Sequence, residues 1–239
     1  MNRILFKEQS NRYLLDPRDP RFEHVRGVLR MGIGDRFDVG IINGPVGKAE
    51  ISSLDREELE ISVEWGSRPP LPPPVILMVG MCRPATARKI LLTAPTLGVL
   101  ELIFMDTDRS DPAYRKASLW KDNEWQSRLI EGTEQAFDTY VPPLHLENSL
   151  EEAILRLPEG SLKLALDVYE GAGRLSAVEL SFQDPVYLAV GPERGWSNKD
   201  RNLLRDKGFR LVSLNERVLK VETAVTVGLT LLLSGMGVY

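Results

Sequence analysis

The sequence is short of cysteine, histidine and unbroken apolar runs, and each scarcity excludes something. A single cysteine, Cys82, rules out an internal disulfide and any cysteine-rich zinc cluster. The two histidines, His24 and His145, read as structural residues, and no metal is expected. The most apolar stretch, residues 224–239, is shorter than a bilayer-spanning helix needs, and Thr226, Thr230 and Ser234 interrupt it. It predicts a buried core helix and no membrane partner. Residues 1–6 place Arg3 before too short an apolar run for a signal peptide, so the expectation is a cytoplasmic protein.

What is present is ordinary in composition and uneven in arrangement. A chain of 239 residues, 43% apolar and 27% charged, allows one large globular domain or two smaller ones. A net charge of −4 argues against coating nucleic acid as the main task. Yet residues 1–36 hold eight Lys/Arg against five Asp/Glu, while residues 37–68 hold three against seven. That asymmetry can put a basic face on a small domain.

The clearest boundary is the run Pro69-Pro70-Leu71-Pro72-Pro73-Pro74, which cannot donate to a helix or sheet ladder. Residues 69–74 are read as a linker between domains of residues 1–68 and 75–239. Before the linker, residues 36–42 and 46–53 flank the turn pair Asn43-Gly44, and residues 59–65 alternate apolar and polar. With a short helix over residues 21–29, this predicts a small β-barrel. After the linker, the apolar runs 75–79, 102–105, 162–168 and 186–190 alternate with helical stretches 85–93, 119–137 and 150–157. Pro95 is expected to break the helix near it, and Ser149-x-x-Glu152 reads as a capping box. Continuous apolar strands between helices predict an α/β domain with a mainly parallel sheet.

Two glycine turns follow predicted strands. Gly171-Ala172-Gly173-Arg174-Leu175-Ser176 approaches a dinucleotide fingerprint, but Ser176 replaces its third glycine. Gly191-Pro192-Glu193-Arg194-Gly195-Trp196-Ser197 follows the 186–190 run, with Ser197 as helix N-cap and Gly208 as the stop. A strand over residues 209–214 then leads into Leu214-Asn215-Glu216-Arg217-Val218-Leu219-Lys220-Val221-Glu222-Thr223-Ala224, where four ionic groups precede the most apolar helix. Charged loops and glycine turns at the carboxyl ends of parallel strands are where such domains bind ligands.

These paired C-terminal motifs resemble those of the SPOUT methyltransferases, and the chain as a whole is similar to the RsmE family of 16S rRNA uridine-N3 methyltransferases. Further stretches carry the likeness: His24 with Val28-Leu29-Arg30, Gly34-Asp35, Leu97-Gly98-Val99, Arg109-Ser110 and Glu134-Gln135. The chain departs from the family pattern at Arg194, Asn215, Lys220 and Val221, in lacking the acid usual between Thr96 and Leu97, and in lacking an arginine after Gln135.

The resemblance implies a PUA-like β-barrel for RNA followed by a SPOUT-type knotted α/β methyltransferase domain. It implies S-adenosyl-L-methionine as cofactor, bound by Leu166, Gly191, Pro192, Glu193, Gly195, Leu214, Val218, Leu219, Thr223 and Ala224. Glu193 and Glu222 become candidate bases for the proton on uracil N3, and Arg217 and Lys220 candidate anion stabilisers. Arg3, His24, Arg26 and Arg30 become candidate RNA contacts. The implied partners are 16S rRNA in the small ribosomal subunit and a second copy of the chain. Two other readings stay open: a SPOUT enzyme acting on another rRNA or tRNA nucleotide, and a non-catalytic RNA-binding relative.

Overall fold

Alternating burial along short strands builds the first part of the molecule. The computed structural model describes residues 2–181 and 185–239. It divides the chain into two compact units, Met1–Pro70 with Thr133–Val141 and Leu71–Gly132 with Pro142–Tyr239. In unit 1, β1 (Ile4–Phe6), β2 (Arg12–Leu15), β3 (Arg36–Ile41), β4 (Val46–Leu54) and β5 (Leu59–Trp65) form a sheet of order β1-β3-β4-β5-β2. Only β1 and β3 run parallel in it. Ala49 and Ile51 of β4 and Leu59, Ile61 and Val63 of β5 point into one core while the residues between them face outward. Asn43, at φ +56°, makes the turn between β3 and β4. The helix α1 (Pro20–Glu23), capped by the Asp19 carboxylate on the Arg21 amide, runs into a π-helical turn (His24–Val28).

The barrel expected from the sequence is an open half-barrel. Its edge strands β1 and β2 do not pair with each other, and the rings of Phe6 and Tyr13 stack across the gap with centroids 4.0 Å apart. β2 escaped the sequence reading because four residues with Leu14 59% exposed show too little alternation. Residues 133–141 also belong to unit 1, although the sequence places them well inside the second domain. Glu134 accepts from Arg3 N through its carbonyl (3.1 Å) and from Leu5 N through Oε1 (3.0 Å), satisfying donors on the β1 edge. Thr139 O accepts from Asn43 N at 2.7 Å, and Thr139 Oγ1 donates to Gly44 O at 2.8 Å.

Unit 2 alternates strand and helix. It contains β6 (Val75–Gly80), α2 (Pro84–Thr96), β7 (Glu101–Met105), α3 (Pro112–Arg115), α4 (Ser118–Lys121), α5 (Glu124–Gln135), β8 (Leu144–Glu147) and α6 (Leu150–Leu155). The last three residues of α5 fall in unit 1. Then follow β9 (Leu162–Leu166), a 3-10 turn (Leu175–Ala177), β10 (Val186–Val190), α7 (Asn198–Asp206), β11 (Arg210–Val212) and α8 (Val221–Gly235). All six strands are parallel, in the order β11-β9-β10-β6-β7-β8. Every residue of β6 and β10 is buried, which is why they read as continuous apolar runs. Truncating Leu77 or Leu188, both fully buried, costs about 2–5 kcal/mol.

Several expectations for unit 2 needed correction. The helix expected over 119–137 is two, α4 and α5, separated at Asn123 with φ +57°. Pro95 does not break its helix. α2 continues to Thr96, because a proline in the last turn keeps helical φ and forfeits only one hydrogen bond. Ser149 caps α6 by accepting from the Glu152 amide, but Glu152 returns its bond to Asn148 rather than to Ser149. β8 was missed because its four residues are all only half-buried and include His145 and Glu147. The helix α8 buries Val225, Leu229, Leu232 and Leu233 within its own unit, packing on α2 and β10.

Candidate functional site

Loops leaving the carboxyl ends of β9, β10 and β11 enclose a cavity of about 920 Å³ in unit 2. Its walls include Leu166, Gly191, Pro192, Glu193, Gly195, Leu214, Val218, Leu219 and Ala224, together with Arg217, Lys220 and Glu222. Nine of the ten residues expected to hold cofactor therefore lie together, with all four candidate catalytic residues beside them. Thr223 is the exception: it is exposed on the first turn of α8 and does not line the cavity.

The turn 191–195 is fixed at both ends. Trp196, 1% exposed, donates its indole N–H to the carbonyl of Leu166 at 3.0 Å, which ties the turn to the end of β9. Ser197 and Asp200 form a reciprocal capping box that starts α7. Gly195 sits at φ +63°, a conformation that side chains with a Cβ adopt reluctantly. Pro192 packs on Gly80 at the end of β6.

The second wall is the loop from β11 to α8. Asn215 Oδ1 accepts from the Arg217 amide at 2.7 Å, turning the chain so that Val218, 71% exposed, lies on the cavity surface. The amides of Val218 and Leu219 have no protein acceptor among the described residues. Lys220 is the N-cap residue of α8, and Glu222 lies in its first turn. The Glu222 carboxyl is held below its ordinary range by its own backbone N–H and by Lys89, whose Nζ is 3.0 Å from Oε1. Glu193 Oε1 accepts from the Arg83 amide at 2.9 Å. Burial pushes the Cys82 thiol up, with Glu193 adding to the effect, so Cys82 stays protonated and is no nucleophile.

The sequence reading missed several members of this site. Asp167 and Arg201 line the cavity as a buried ion pair, their side chains 1% and 7% exposed. Asp167 Oδ1 also accepts from the amides of Tyr169 and Glu170 at 2.7 and 3.0 Å, which shapes the turn after β9. Arg83 and Arg109 reach the cavity from the loops after β6 and β7. An acid directly after an apolar strand was the available signal for Asp167; Arg109 stands in a stretch that carries the family likeness but was given no role there, and nothing local marks Arg83 or Arg201.

The turn at Gly171 is not a dinucleotide site. Among the described residues no α-helix lies between it and β10, and a Cβ on Gly171 would lie 2.6 Å from the Asp167 carbonyl and 2.8 Å from Ser213 N. That glycine serves close approach of the loop to the end of β11. Among the described residues no cluster of His, Cys, Asp or Glu could hold a metal ion, and no helix is long and apolar enough to cross a membrane.

Of the candidate RNA contacts in unit 1, Arg26 and Arg30 are exposed and His24 is half-buried. Arg3 is not available to a partner. It is 8% exposed, and its guanidinium lies 4.7 Å from the centroid of the Phe137 ring. Burial lowers its pKa, although Asp38 and Asp138 partly offset that.

Comparison with known proteins converges on one class. Residues 69–233 match the RNA methyltransferase domain family and residues 17–64 the RNA methyltransferase PUA domain family. The ribosomal RNA small subunit methyltransferase E of Neisseria gonorrhoeae, solved bound to S-adenosyl methionine, superposes with a TM-score of 0.81 at 22% identity, covering 98% of this chain and 97% of that one. A methyltransferase of Legionella pneumophila, in complex with the same cofactor, gives 0.82 at 22% identity over 97% of this chain and 96% of its own. Fold and site thus define an RNA methyltransferase with a parallel α/β domain and an N-terminal PUA domain. The ribosomal RNA small subunit methyltransferase E of Treponema pallidum is 31% identical over 236 residues, 94% of this chain and 87% of the relative. The chain belongs to that family.

Proposed function

We propose that this chain transfers a methyl group from S-adenosyl-L-methionine to N3 of a uridine in 16S rRNA, acting on the small ribosomal subunit as a cytoplasmic homodimer. The observation that carries the reading is the cavity at the carboxyl ends of β9, β10 and β11. Its volume, the positive-φ turn at Gly195, the free amides of Val218 and Leu219 and the apolar face of Val218 suit a nucleoside with an amino-acid tail. Leu166, Val218 and Leu219 would hold the adenine part, and the backbone of residues 191–195 and 214–219 the rest.

When bound, the sulfonium supplies an electrophilic methyl carbon without help from a metal. The protein's own work is to set uracil N3 in line with that carbon and to shield the pair from water. N3 carries a proton, which a base must accept. Glu193 is the better base, because the Arg83 amide orients one oxygen and the other has no hydrogen bond among the described residues. Glu222 is the poorer one, its proton affinity being lowered by its own amide and Lys89. Arg217 and Lys220 stabilise the uracil anion. In the dimer, Val227 and Leu231 of α8, half-buried in one copy, lie in the interface.

The test is nucleoside mass spectrometry of rRNA from cells with and without the gene. N3-methyluridine disappears on deletion and returns with the wild-type gene but not with Glu193→Gln. Its persistence, with loss of another methylated nucleotide, moves the target.

A further inference from the structure

Three exposed arginines stand on the rim of the cavity, each on a loop from a different strand. Arg194 follows β10, Arg83 follows β6 and Arg109 follows β7, and these three strands are neighbours in the sheet. The guanidinium groups of Arg109 and Arg83 are oriented by neutral acceptors. Arg109 Nη1 donates to the Arg194 carbonyl at 2.9 Å, and Arg83 Nε donates to the Tyr114 hydroxyl at 3.3 Å. Among the described residues none of the three forms a salt bridge, in contrast to Arg201 deeper in the same cavity, which is paired with Asp167. Scarcity of acids does not explain this, since the chain carries 34 Asp/Glu against 30 Lys/Arg. Arg217 and Lys220 add like charge to the lining. The lining holds six Lys/Arg against Asp167, Glu193 and Glu222, with Glu193 acting on Arg83, and the surplus cations repel each other unless an anion joins them. The single carboxylate of the methyl donor is too little charge for the set, whereas RNA presents a phosphate at every nucleotide.

We propose that Arg83, Arg109 and Arg194 form a phosphate clamp that grips the RNA backbone on either side of the methylated nucleotide and so presents its base to the cavity. The clamp rests on the RNA-methyltransferase reading above. Phosphate contacts of this kind fix register and orientation without reading sequence, and the planar guanidinium fork suits phosphate oxygens.

The test measures binding of Arg83→Gln, Arg109→Gln and Arg194→Gln to small subunits from a strain lacking the gene, over a range of salt. Calorimetry with S-adenosylmethionine and thermal unfolding are run on the same proteins. Each variant is expected to lower the slope of log affinity against log salt by about 0.7–0.9, as for one lost phosphate contact. Each variant still binds S-adenosylmethionine, and Arg83→Lys and Arg194→Lys restore the slope. An unchanged slope in the triple variant, with S-adenosylmethionine binding intact, overturns the clamp. So does loss of S-adenosylmethionine binding in the single variants, which would assign the arginines to the cofactor. Wild-type protein that binds RNA with the expected slope but no S-adenosylmethionine would leave the clamp standing and sink the methyltransferase reading instead.

Discussion

The indole N–H of Trp196 donates to the carbonyl oxygen of Leu166 at 3.0 Å, joining the end of β9 to the turn after β10. Both groups are buried and belong to loops that form walls of one cavity. Trp196→Phe keeps most of the ring and removes the donor, leaving a buried carbonyl unsatisfied. We expect a loss of about 1–3 kcal/mol in urea unfolding. Weaker binding of S-adenosylmethionine by calorimetry should accompany it, because the turn is no longer anchored.

Gly195 tests the turn by strain alone, since nothing lies within 4 Å of where its Cβ would be. At φ +63° a β-branched residue is strongly disfavoured while asparagine is tolerated. Gly195→Val should therefore abolish cofactor binding with circular dichroism unchanged, and Gly195→Asn should retain most of it. Equal affinities for the two variants would show that the backbone conformation at this position does not matter.

The buried pair Asp167–Arg201 is expected to matter more when broken than when replaced. Arg201→Ala leaves a carboxylate that is 1% exposed without its partner, at a cost of about 3–5 kcal/mol. The double variant Asp167→Asn, Arg201→Met should recover much of that in chemical denaturation. A double-mutant cycle with no coupling energy would contradict the assignment.

Glu222 gives a pH dependence whose sign is fixed. Its pKa is lowered in the folded chain by its own amide and Lys89, so the unfolded chain binds its proton more readily. The stabilising contribution is complete above the ordinary glutamate range and is lost as pH falls through that range and below it. Lys89→Met should raise the Glu222 pKa, seen by carboxyl NMR titration, and shrink the stability difference between pH 7 and acid. A pKa that stays put would assign the whole effect to the helix N-terminus.

In unit 1 the exposed pair Arg26 and Arg30 should contribute to RNA affinity. Replacing both with alanine is expected to weaken binding to unrelated RNAs alike, with the salt slope reduced by about two. Arg3→Ala should instead act on stability, because its guanidinium is packed on Phe137. The opposite pattern, with Arg3→Ala lowering the salt slope, would reverse this division.

Local patterns along the chain determine much of this protein. Apolar runs announced β6, β7, β9 and β10, Ser197 as N-cap marked the start of α7, and the two C-terminal motifs carried eight of the nine expected residues that line the cavity. Each of these is a property of neighbours along the chain. Strand order was not, because a parallel pairing such as β10 with β6 joins residues more than a hundred positions apart and leaves no periodic trace. For the same reason only the tertiary structure could place Arg83, Arg109, Asp167 and Arg201 at one cavity, or move residues 133–141 into unit 1 to satisfy the edge of β1. Periodicity reports which face of an element is buried; what that face meets is decided by packing between elements distant in sequence.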